Sequence, residues 1–162
     1  MELAQRPIID ECLVRNNAVF QELLTNNLLK YRIKQVSIKK KVLIITDGTD
    51  LIDSIAHFVK SAVTGAVKIC RAEFFDGTDL LPAETFFIGC ENSKPSSFGY
   101  LEEMLLHINF AGRHCGIFST NKKALNYLSG ILKNCEVTVE EPLLITEADA
   151  AVVNNWIKKI NN

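Results

Sequence analysis

From Lys41 onward, short apolar runs alternate with helical stripes, and few folds accommodate that order. KVLIIT (41–46) is continuously apolar, as a strand covered on both faces requires. AVKICRA (66–72), TFFIGC (85–90), HCGIFST (114–120) and VTVEEPLLIT (137–146) read as further strands, the last interrupted by Pro142. Between them, Leu51, Ile52, Ile55, Val59 and Val63 fall on one helical face. Leu101, Met104, Leu105 and Ile108 make a second stripe, and Ala124, Leu125, Leu128, Ile131 and Leu132 a third. EADAAVVNNWIKKI (147–160) closes the chain as an amphipathic helix. Five strands alternating with helices predict an α/β three-layer sandwich around a parallel sheet, with right-handed crossovers.

Residues 1–41 do not belong to that pattern. A helix is predicted from near Pro7, with Ile9, Leu13, Phe20, Leu23, Leu24 and Leu28 on its stripe. Tyr31 to Ile38 follows as a short strand or extended connector. The expected division is therefore 1–41, an N-terminal helical extension and basic connector, and 42–162, the α/β domain. Charge follows the same boundary. Residues 1–41 carry 8 Lys/Arg against 4 Asp/Glu, whereas 42–162 carry 10 against 15. The acidic main body argues against nucleic acid, and the basic run from Lys30 to Lys41 reads as a solvated edge or linker.

No apolar stretch is long enough to span a bilayer, and Met1 and Glu2 lead into polar residues rather than a signal-type run. The expectation is a cytoplasmic protein without membrane contact. Cys12, Cys70, Cys90, Cys115 and Cys135 are an odd set, no two closer than twenty residues, which fits neither a zinc site nor a disulfide framework. They read as reduced thiols. Cys90 stands where a strand meets a loop, and is either a reactive thiol or buried and inert.

Ligands of such sheets collect outside the carboxyl ends of the strands, where strand order reverses. That rule selects three loops: Thr46, Asp47, Gly48, Thr49 and Asp50 after the first strand; Cys90 to Tyr100 after the third; and Ser119, Thr120, Asn121 and Lys122 after the fourth. Asp50 is a candidate helix cap, and Thr120 or Asn121 another. His57, His107 and His114 are scattered, so no Ser/His/Asp arrangement is readable and a hydrolase has no support. A phosphoacceptor receiver domain is excluded as well. It needs an Asp ending the third strand and a Lys ending the fifth, where this chain has Gly89-Cys90-Glu91 and Ile145-Thr146-Glu147.

The stretch FFIGCENSKPSSFGYLEEML, then FAGRHCGIFST, resembles the flavodoxin-like family in its shorter form, as do Gly112-Arg113 before the fourth strand and Trp156 in the last helix. The resemblance covers about three-quarters of the chain. It implies a 2-1-3-4-5 sheet, noncovalent FMN and electron transfer, as a carrier or a component of a flavin-dependent oxidoreductase. Carried onto this sequence, the cofactor site comprises Thr46, Asp47, Gly48 and Thr49 for the phosphate. Cys90, Glu91, Asn92, Phe98, Gly99 and Tyr100, with Ser119, Thr120 and Asn121, surround the flavin ring. Phe98 or Tyr100 would stack on the isoalloxazine, or else simply cover the start of the next helix.

The departure lies in the phosphate loop. Flavodoxins carry a T/S-x-T-G-x-T type loop, whereas TDGTD is shorter, holds one Gly-Thr pair and adds Asp47 and Asp50. Two readings follow: an FMN electron carrier with a redox protein partner, or a flavin-free binding or assembly module. The second docks a protein partner, or a second copy of the chain, through its N-terminal helix.

Overall fold

The structure, a computed structural model, describes residues 40–161. The helix expected from Pro7, the extended stretch at 31–38 and Cys12 lie outside the described residues. The four central apolar runs are the strands β1 (Lys41–Thr46), β2 (Ala66–Arg71), β3 (Thr85–Gly89) and β4 (His114–Ser119). The fifth run is divided: β5 (Thr138–Val139) and β6 (Leu143–Leu144) both pair with β4. All pairings are parallel, in the order β2-β1-β3-β4-β5, so the 2-1-3-4-5 arrangement stands with a sixth strand added.

The division at β5 has a local cause. Val139 pairs with Cys115 and Leu143 with Phe118, so the edge carries one residue more than β4 between those points. Pro142 has no N–H for the ladder and belongs at such a break. The carbonyl of Glu141, freed from the sheet, accepts a 2.6 Å hydrogen bond from Trp156 Nε1.

The helices are α1 (Asp50–Ala62), the one-turn α2 (Gly77–Leu80), α3 (Gly99–His107), α4 (Lys122–Leu132) and α5 (Ala150–Ile160). Strand alternation sorts the side chains onto two faces. Val42, Ile44, Phe87 and Phe118 pack with Ile52, Ile55 and Val59 of α1 and Val153, Trp156 and Ile157 of α5. Leu43, Ile45, Phe86, Ile88, Cys115 and Ile117 pack with Leu101 and Leu105 of α3 and Leu125, Leu128 and Leu132 of α4. The result is the expected three-layer sandwich.

Two strand glycines make the first face possible. Phe87 is paired with Gly116 and Gly89 with Phe118, so each ring lies over a glycine of the neighbouring strand. A Cβ on Gly116 would sit 2.5 Å from Phe87 Cδ1 and 3.1 Å from Trp156 Cη2. One on Gly89 would sit 2.2 Å from Phe118 Cε2. The vacated volume holds Trp156, edge-on to Phe87 at 5.6 Å and to Phe118 at 6.3 Å between centroids.

Candidate functional site

Strand order reverses between β1 and β3: α1 carries the chain to β2 on one side, and the next strand returns to the other side of β1. The three selected loops meet at the carboxyl end of the strands around this point. Only Asp47, Gly48 and Thr49 separate β1 from α1. Gly48 has φ +82°, which a side chain would strain, and a Cβ there would lie 3.2 Å from Arg71 Cδ. The loop is therefore tight and roofed by the stem of Arg71.

Asp47 holds it shut. Its Oδ1 accepts from the Thr49 backbone N–H at 3.2 Å and the Thr49 hydroxyl at 2.8 Å. Its Oδ2 accepts from the Glu91 N–H at 2.8 Å, across to the loop after β3. The Asp47 N–H donates to the Gly89 carbonyl at 3.2 Å, a second tie between the same segments. Behind it, the fully buried Thr46 hydroxyl donates to Asp53 Oδ1 at 2.6 Å. Arg71 Nε and Nη2 donate to Asp53 Oδ2 at 3.0 and 2.7 Å. Asp50 is the exposed first residue of α1, and Thr49 is the cap position. The carboxylate taking loop donors is thus Asp47, because the side chain behind Gly48 folds forward over Thr49.

The loop after β3 places its residues in separate environments. Cys90 is fully buried, and burial, then the Asp47 carboxylate, pushes its thiol up to about 12. A thiol so rarely ionised is a poor nucleophile. Glu91 is half-buried and contributes its N–H, while Asn92 and Gly99 are exposed. Phe98 is fully buried, its ring 6.4 Å from that of Tyr127. Tyr127 in turn donates to Glu102 Oε1, and burial and that bond raise its pKa. Tyr100 is 45% exposed and tilts against Phe75 at 5.8 Å.

The loop after β4 is tied to its neighbour directly. The buried Ser119 hydroxyl donates to the Cys90 carbonyl at 2.5 Å and accepts from the Asn121 N–H at 3.0 Å. Asn121 caps α4 through Lys123 N–H at 2.8 Å, and Thr120 is half-buried between them. Sequence reading missed Arg71 and Asp53. Parallel register pairs Thr46 with Arg71, so the end of β2 belongs to the same rim, a consequence already available from the strand order.

The start of α1 is acidic and tied to its own loop. A phosphate at the start of α1 would meet the carboxylates of Asp47, Asp50 and Asp53, and Asp47 already takes the Thr49 donors, which leaves the N–H groups of Asp50, Leu51 and Ile52 in the first turn. Each like-charge pair at ~5 Å is unfavourable by about 3 kcal/mol at an effective dielectric of ~20. The one balancing cation among the loop contacts, Arg71, is paired with Asp53. Of the two candidate stacking rings, Phe98 offers no exposed face.

Solved structures share the architecture. A flavodoxin of Streptococcus pneumonia TIGR4 superposes with a TM-score of 0.65 at 13% identity, over 75% of this chain and 97% of that one. Flavodoxin 2 of Bacillus cereus gives 0.61 at 19%, over 74% and 99%. A Fusobacterium nucleatum flavodoxin bound to flavin mononucleotide gives 0.55 at 14%, over 75% and 97%. The chain has the flavodoxin-like fold. No protein-family profile matches the sequence, and no curated protein does. Among the described residues, no helix is long and apolar enough to cross a membrane.

Proposed function

We propose that this chain is a flavin-free binding module on the flavodoxin-like fold, acting through protein contact rather than electron transfer. The observation that carries the reading is the Asp47 carboxylate, which takes the Thr49 and Glu91 donors at the switch point and adds negative charge beside the start of α1. Phe74 is 75% exposed on the turn after β2, and Tyr100 is half-exposed in the first turn of α3, which supports a surface for a protein partner. The basic extension of residues 1–41 is the proposed docking element for that partner or for a second copy. Four described cysteines without disulfides fit the reducing cytoplasm.

What supports the electron-carrier reading is the fold, since one similar structure is described as bound to flavin mononucleotide. Fold alone does not assign chemistry. The two readings separate in a titration of the full chain with FMN, followed by flavin fluorescence and by the visible spectrum after desalting. The module leaves the flavin free; stoichiometric retention establishes the carrier. Asp47→Ser asks whether the carboxylate is the cause: flavin or phosphate affinity is expected to rise in the variant. Light scattering on the full chain and on a form lacking residues 1–39 tests the docking role. An unchanged mass removes self-association through the extension.

A further inference from the structure

At the opposite end of the strands, where β1, β3 and β4 begin, an open cavity of about 310 Å³ lies among the described residues. That volume is at the small end of ligand pockets. Its backbone wall is largely paired: the Glu84 N–H donates to the Lys41 carbonyl at 3.0 Å and the Ala66 N–H to the Lys40 carbonyl at 3.1 Å. Side-chain charge is what a ligand would meet. Arg113, Lys40 and His114 line the cavity, with Glu84 the one carboxylate on the wall.

Arg113 is held on two sides. Its Nη1 donates to the Leu80 carbonyl at 2.9 Å, and its guanidinium carbon lies 5.5 Å from the centroid of the Phe110 ring. The Nε and Nη2 donors make no hydrogen bond among the described residues. A guanidinium fixed in this way offers a planar fork at little further ordering cost, the geometry that carboxylate and phosphate oxygens match. Lys40 supplies a second positive charge and makes no ion pair among the described residues. His114 is anchored at the edge, its Nδ1 2.6 Å from Glu140 Oε1. Gly112, at φ +78°, brings the chain into β4 without a side chain beside the opening.

We propose that this cavity binds a small oxyanion, the carboxylate or phosphate group of a metabolite-sized molecule, with Arg113 as the fork and Lys40 as the second charge. The site lies at the far end of the strands from the Asp47 loop and does not depend on the flavin-free reading.

The test is an amide NMR titration of the full chain with inorganic phosphate and with acetate, at constant ionic strength, against chloride. Saturable shifts at Thr85, Gly112, Arg113 and His114, absent with chloride, support the site. Response to phosphate alone assigns a phosphate ligand, and response to acetate alone a carboxylate. Arg113→Gln is expected to weaken binding about tenfold, the loss of one charge-assisted contact. Because Arg113 also holds Leu80, Lys40→Gln provides a second variant, with no side-chain hydrogen bond to lose among the described residues, and it too is expected to weaken binding. Glu84→Gln is expected to tighten it. Shifts no different from those with chloride overturn the proposal, as does saturable binding unchanged in both Arg113→Gln and Lys40→Gln.

Discussion

The two ends of this parallel sheet are built on opposite plans. At the carboxyl end, Thr46, Asp47, Asp53, Arg71 and Ser119 bond to one another and to neighbouring backbone, and the loops after β1, β3 and β4 are laced together. At the amino end, Arg113 and Lys40 face an open cavity, and their bonds to the rest of the fold are fewer. The difference teaches that position in a fold does not by itself say which polar groups are left for a ligand. Both proposals rest on one physical rule, that a polar group already satisfied by its own chain has less to offer a ligand.

The frame shared by both ends sets the largest expected effect. Gly116→Ala drives a methyl into Phe87 and Trp156 and is expected to destabilise by about 3 kcal/mol, read as a fall in the urea midpoint. A loss much smaller than that would show that the sheet centre relaxes, and with it the alignment of both ends. Next comes Asp47→Ala, which removes three accepted bonds and leaves the Glu91 N–H without its partner. About 2 kcal/mol is expected, because bonds to a charged acceptor are the stronger kind. A neutral outcome would dissolve the contrast between the ends.

Ser119→Ala is expected to cost about 1–2 kcal/mol, since it deletes a buried donor and acceptor together. Arg71→Gln stands lowest. Its partner Asp53 and its own side chain are partly exposed, so only a small fall in the urea midpoint is expected, and less still at high salt.

Cys90 provides a pH test of the closed end. Its thiol ionises near 12 in the folded protein, well above an ordinary cysteine, because burial and Asp47 disfavour the thiolate. Above about pH 9 the unfolded chain loses this proton while the folded one keeps it, so ν_U falls below ν_N and stability declines with rising pH. The expected observations are a urea midpoint that drops from pH 9 upward and, at pH 8, alkylation of Cys90 only after unfolding. Rapid alkylation of the folded protein would mean that the loops are open.

Much of this architecture was legible in the chain. KVLIIT, TFFIGC and HCGIFST became β1, β3 and β4 within a residue or so, because doubly covered strands must be apolar throughout. VTVEEPLLIT was less legible: Pro142 announced an interruption, but the extra residue opposite β4 and the Trp156 bond that stabilises the break depend on a partner fifteen residues away. The loops of the switch point were found by rule, and the cap was narrowed by residue type to Thr120 or Asn121, of which the structure uses Asn121. The embrace of Thr49 and Glu91 by Asp47 was not, since Glu91 is 44 positions distant. Phe98 and Tyr100 looked equivalent in sequence; Phe98, just before α3, is buried against the core, and Tyr100, in the first turn of the helix, is exposed.

By itself, then, the sequence determined the layers and the strand sites, because hydrophobic periodicity is local and a face must be covered by something. It also placed acidic residues in the loop where the resemblance puts a phosphate cradle. Only the tertiary structure decided what those acids do. A carboxylate repels an anion or replaces it according to whether backbone donors from two loops converge on it, and convergence is a property of packed strands. The same holds for Arg113, whose charge is plain in the sequence but whose fixed direction comes from Leu80 and Phe110.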